Sequence, residues 1–174
     1  MKRAAPLLVV LVVALSVPAL DGSSPAAPTS CKPGVSKVAG GVARTFCGTA
    51  KATVKVNGRS YAFTNGQCDI YPKYLVVNIG TVVVGSAKRT AYFGLLMGKH
   101  PAATVADPVV AKDGRYKRGL ITANAPGLRI STFNEPSLVI VLTGNRRAGV
   151  FSWSKSENKI YNEPALMVAG SFRC

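Results

Sequence analysis

The chain has 174 residues, among which 22 lysines and arginines stand against 7 aspartates and glutamates, a net charge of +15, with four cysteines and one histidine. That length suits one domain with a real apolar core and argues against a second. A lone histidine leaves little for histidine-based metal sites or hydrolytic triads, while the cation excess suits anionic surroundings or simply a solvated, self-repelling surface.

Residues 1–19 read as an export leader. Met1-Lys2-Arg3 is positively charged, residues 7–17 are apolar apart from Ser16, and Val17-Pro18-Ala19 offers small residues for cleavage. The apolar run is shorter than the ~20 residues of a spanning helix, so no transmembrane span is expected in the mature chain. Residues 20–36, rich in Ser, Pro and Ala, are expected to form an extended tether. Residues 37–174 then form the folded domain, and the protein is placed in the cell envelope or in the medium.

Short runs of Val, Ile, Leu, Tyr and Phe separated by Gly, Asn and Pro dominate the chain after Cys47, which is the pattern of an all-β domain. The expected architecture is an antiparallel β-sandwich-like domain with two disulfides. Its best local signal spans residues 52–63, where Asn57-Gly58 supplies a two-residue hairpin turn. That turn sets Val54 opposite Tyr61 and Ala52 opposite Phe63 on an apolar face. Lys51, Thr53 and Lys55 then stand opposite Thr64, Ala62 and Ser60 on a polar one.

Residues 74–84 form a β-branched strand, with a bend at Gly80 and a stop at Gly85, and a strand at 91–97 follows. Pro108 demotes 104–112 to an edge or loop, and Asp113-Gly114 is a turn before a strand at 116–124. Strands at 128–133 and 138–143 flank the turn Asn134-Glu135-Pro136. A strand at 148–153 leads into a polar loop at 154–162, and the chain closes with a strand at 165–174 that puts Leu166, Val168 and Phe172 on one face. Helices are expected to be minor.

Cys31, Cys47, Cys68 and Cys174 are an even set in an exported chain, hence two disulfides. Three pairings are possible, and the short flanking segment that holds the first two cysteines favours Cys31 with Cys47 and Cys68 with Cys174. Their spacing does not suit zinc, and no metal or cofactor is expected. Lipidation of Cys31 ranks below disulfide formation, because Pro28-Thr29-Ser30 precedes it and the apolar run ends well upstream.

No motif names a reaction, and an enzyme is not expected. His100 lies in Gly98-Lys99-His100-Pro101, a loop context that suits an inert surface residue better than a catalytic base. The acidic residues sit in turn-like contexts, and Gly40-Gly41 is no phosphate loop. Of the basic doublets, Lys88-Arg89 and Arg146-Arg147 are the candidate anion-binding residues, weighed against ordinary solvated charge. Aromatic residues interleave with cations at Lys73-Tyr74 and from Arg89 to Phe93, although Phe93 or Tyr92, and Trp153, are expected in the core.

Gly66-Gln67-Cys68, the apolar run at 74–84 and the terminal Gly170-Ser171-Phe172-Arg173-Cys174 resemble the mycobacterial surface lipoprotein antigen family over about residues 51–174. The resemblance implies an envelope-associated β-rich domain without established catalysis, whose paired cysteines map to Cys68 and Cys174. The chain differs from that family in its missing lipidation box, its extra Cys31 and Cys47 and its basic charge. The expected function is thus an exported surface protein with a non-catalytic binding role. The alternative is a binder of anionic polymers through basic loops, with envelope components ahead of nucleic acid as partners.

Overall fold

A computed structural model of the chain describes residues 31–84, 90–101, 109–132, 135–156 and 164–174. The expected leader and most of the tether lie outside the described residues, as do Lys88, Arg89 and the stretch around Pro108. The fold is all-β and antiparallel, with no helix among the described residues. The described residues form twelve strands: β1 (Gly34–Val38), β2 (Gly41–Thr45), β3 (Ala50–Val56), β4 (Arg59–Ile70), β5 (Tyr74–Val84), β6 (Tyr92–Gly98), β7 (Gly114–Tyr116), β8 (Leu120–Ala125), β9 (Leu128–Ser131), β10 (Val139–Thr143), β11 (Ala148–Lys155) and β12 (Leu166–Arg173).

The strands form one continuous ladder in the order β7-β10-β11-β12-β3-β4-β5-β6-β8-β9, and the β1–β2 hairpin joins it through β2 on β5. The two layers of the expected sandwich-like domain are therefore one sheet folded over on itself. Phe93 of β6 and Phe151 of β11 stack at 5.7 Å, although β12, β3, β4 and β5 lie between their strands in the ladder. Met97 and Ile140 likewise close on Gly119 from β6 and β10. Long strands that change partners make the fold possible. β4 pairs with β3 in its first half and with β5 from Gly66 onward, while β5 leaves β4 and β6 after Gly80 and pairs with β2 from Thr81.

The alternation of apolar side chains decides which face turns inward. Ala52, Val54 and Phe63 are buried while Lys51, Thr53 and Lys55 are exposed, and the register Val54↔Tyr61 and Ala52↔Phe63 is the one the Asn57-Gly58 turn predicts. Both turn residues have positive φ, 45° and 89°. An extra residue enters β4 beyond this point, with Asn65 at φ 64°, so Lys51 does not meet Thr64 as an unbroken ladder would require. Leu75, Val77, Ile79, Phe93, Leu95, Met97, Ile121, Ile140, Leu142, Phe151 and Phe172 complete the core, and Trp153 joins them at 4% exposure. Each large side chain buried there contributes roughly 1.5–3 kcal/mol.

Cys31 bonds Cys47 and Cys68 bonds Cys174, with Cα separations of 5.7 and 5.6 Å. The second bridge joins β4 to the residue after β12, the two strands that flank β3. In the chain-entropy account a bridge closing a loop of about 15 residues is worth about 3 kcal/mol and one closing about 100 residues nearly 5. Two bridges and no free cysteine among the described residues fit an oxidising compartment outside the cytoplasm. No helix of the described residues is long and apolar enough to cross a membrane.

Two elements differ from expectation. Strand β1 begins at Gly34, inside the expected tether, and pairs with β2 through a tight turn at Ala39-Gly40. The expected strand at 116–124 is two strands, broken where Gly119 wedges between Met97 and Ile140.

Candidate functional site

Four stretches from three connections meet at one end of the sheet: the β4–β5 turn at 71–74, the two ends of the β6–β7 connection at 98–101 and 109–113, and the β10–β11 loop at 144–147. In the first, Pro72 fixes the second position of a tight turn closed by the Tyr71 N–H donating to the Tyr74 carbonyl at 2.9 Å. The Lys73 carbonyl then accepts from Lys99 N–H at 3.3 Å and from Val110 N–H at 3.1 Å, which draws both ends of the β6–β7 connection to it. Val110 is fully buried and anchors its segment to the core.

Arg146 completes the stitching. Its guanidinium Nη1 donates to the Tyr71 carbonyl at 2.6 Å and to the Val110 carbonyl at 2.8 Å. Gly144, Asn145 and Arg146 follow one another at φ 64°, 58° and 65°, a left-handed run that turns successive amides inward. The Asp113 carboxylate fills that concavity, accepting from Arg146 N–H at 2.6 Å and Asn145 N–H at 2.9 Å. Charge-assisted bonds of this kind are the strong ones, and they offset the backbone cost of a non-glycine left-handed pair.

The surface so held is aromatic and cationic. Tyr71, 43% exposed, stacks on Tyr74 at 4.2 Å and 23°, and the His100 ring meets Tyr74 edge-on at 4.9 Å and 76°. Desolvation, then the neighbouring Tyr71 and the charge of Asp69, push the Tyr74 phenol above its ordinary 10, so it stays neutral below that pH. Lys73, Lys99, Lys112 and Arg147 are exposed around this pair. Asp69 accepts a hydrogen bond from Gln67 at 3.2 Å.

The expected anion-binding residues thus part company. Arg146 is a half-buried cross-link whose Nη1 is engaged by carbonyls, Arg147 is exposed, and Lys88 and Arg89 lie outside the described residues. All four expected cysteines are in bridges. In the sequence Lys73-Tyr74 and the His100 loop stand apart as separate features. The Tyr71-Pro72 turn beside them was the signal that could have joined the two.

Elsewhere an open groove of about 540 Å³ runs over the outer face of β11, β12 and β3, lined by Lys55, Ser137, Ser152, Ser154, Trp153 and Met167. A second, of about 420 Å³, follows the bulge of β4 beside Thr81 and Ala91. The β1–β2–β5 face exposes Val35, Val42 and Val84. Among the described residues no group of three or more His, Cys, Asp or Glu is placed to hold a metal ion. Comparison with protein families, curated proteins and solved structures finds no match to this chain.

Proposed function

We propose that this chain is an exported, non-catalytic binding protein of the cell envelope or its surroundings, of the mycobacterial surface lipoprotein antigen type, and that the stitched end around Tyr71 is its binding face. The observation that carries this reading is the order imposed on that end. Fixing loops costs conformational entropy, and here the described stretches of three connections are held by Arg146, Asp113 and the Lys73 carbonyl beneath an exposed tyrosine. A rigid aromatic anchor on held loops is the form a recognition surface takes. The two bridges and the apolar leader support export. With Cys31 bonded to Cys47, no thiol stands there to carry a lipid, and the protein is proposed to act without an acyl anchor.

A separate observation favours an anionic polymer as the ligand. Lys51 and Arg173 are direct cross-strand neighbours on β3 and β12, and Ala148 follows on β11, next to Arg147. Like charges placed opposite each other repel, and a bound anion relieves them. Calorimetric titration of the oxidised full chain with polyphosphate tests the reading. Affinity is expected to fall about a hundredfold between ~50 and ~200 mM salt if about four phosphates are neutralised. A flat salt response, or no binding, contradicts it.

A further inference from the structure

Resting on the binding face proposed above, we infer its ligand class: an anionic polysaccharide, a chain of sugar rings bearing phosphate or carboxylate groups, with one ring seated on Tyr71 and the flanking anions met by Lys73 and Lys99. Tyr71 is backed by Tyr74 at 4.2 Å, which covers one side of the ring while the residue stays 43% exposed. The backing ring is itself half-buried, with His100 against its edge. One open aromatic platform is left.

That arrangement discriminates among ring-bearing partners. Single-stranded nucleic acid is bound by successive aromatics, each presenting a face to one base. Here the second tyrosine serves as a backing, so a run of bases finds a single step. A sugar polymer needs one platform per bound repeat, because the C–H-rich face of one ring packs on the electron-rich face of the tyrosine while its hydroxyls stay in water.

The charge on the platform's borders selects anionic sugars. Lys73 occupies the turn between the two tyrosines, and Lys99 is tied to it through the Lys73 carbonyl at 3.3 Å, both side chains exposed. Asp113 and Asp69 keep their charges while bonded to neutral amides, but the exposed Lys73, Lys99, Lys112 and Arg147 outnumber them, so the platform's border stays cationic. A cationic ligand such as a quaternary ammonium is repelled by the same pair. Because Arg146 holds the Tyr71 carbonyl at 2.6 Å, the platform is ordered before the ligand arrives, which removes part of the cost of binding.

The test is calorimetric titration of the oxidised full chain, at one salt concentration, with polygalacturonate, polyphosphate, neutral dextran and oligo-deoxythymidine. Wild type is compared with Tyr71→Ala, Tyr71→Leu, Tyr71→Phe and the pair Lys73→Gln with Lys99→Gln. Polygalacturonate affinity is expected to drop about tenfold in Tyr71→Ala and Tyr71→Leu and to stay within about twofold in Tyr71→Phe, as expected for one aromatic contact. Polyphosphate binding should ignore position 71, the lysine pair should weaken both polymers, and dextran should bind at least about tenfold more weakly than polygalacturonate. Thermal melting of each variant shows that the fold is kept, and the leucine variant serves if the alanine variant does not fold.

Polygalacturonate binding that ignores position 71 overturns the inference, and so does oligo-deoxythymidine that binds more tightly with the stronger dependence on Tyr71. If polyphosphate still binds in either case and is weakened in the lysine pair, the proposed binding face stands and only the sugar assignment falls; if the lysine pair leaves it unchanged, both fall. If none of the four polymers binds, both fall.

Discussion

Asp113 is one of only 7 acidic residues in a chain with 22 cations, and it faces backbone rather than a lysine. Its two bonds hold Asn145 and Arg146 in left-handed conformations, and Arg146 in turn holds the carbonyls of Tyr71 and Val110. Asp113→Ala is therefore expected to cost about 1.5–3 kcal/mol in chemical denaturation, the range for hydrogen bonds to charged groups. Asp113→Asn, which offers one acceptor oxygen, should lose less. A loss below about 0.5 kcal/mol in the alanine variant, the size of an ordinary surface substitution, would contradict this role. Asp113-Gly114 reads as a turn and Arg146 as a candidate anion-binding residue, and neither reading foretells the bond between Asp113 and Arg146; Gly114 instead opens β7. That bond spans 33 positions, and nothing in Gly144-Asn145-Arg146 advertises three successive left-handed residues.

At the level of elements, a strand was legible wherever burial imposed a period on its side chains. The β3–β4 hairpin could be read to its register because Asn57-Gly58 fixed the pairing and Ala52, Val54 and Phe63 marked the inner face. β1 has no buried face at all, so the valines at 35 and 38 carry no alternation that separates strand from tether. The bend foreseen at Gly80 is where β5 changes partners, at φ +85°, and a Cβ there would lie 2.2 Å from the Ala91 carbonyl oxygen. Gly58 has a similar φ of +89°, with nothing within 4 Å of its Cβ position. Gly58→Ala should thus cost only the left-handed penalty of about 1–2 kcal/mol, and Gly80→Ala appreciably more, because backbone must also move. Equal or reversed losses in paired denaturation curves would refute the contrast.

The molecule as a whole is a single antiparallel ladder folded around one core, locked by Cys68–Cys174 across β3 and by Cys31–Cys47 around the β1–β2 hairpin. Fold class and both bridges were within reach of the sequence, since strand period, turn residues and cysteine placement are local signals. The candidate site was not, because the loops that form it come from four parts of the chain and meet only after folding. Its content, an aromatic platform among cations, follows from where those loops close. The most direct measurement is amide chemical-shift mapping of the isotope-labelled, oxidised full chain during titration with polyphosphate. The amides expected to move are those of Lys51, Arg173 and the non-proline residues of 71–74, 98–101, 109–113 and 144–147. Shifts confined to the groove beside Lys55, Ser152 and Met167, or to the β1–β2 hairpin, would contradict it.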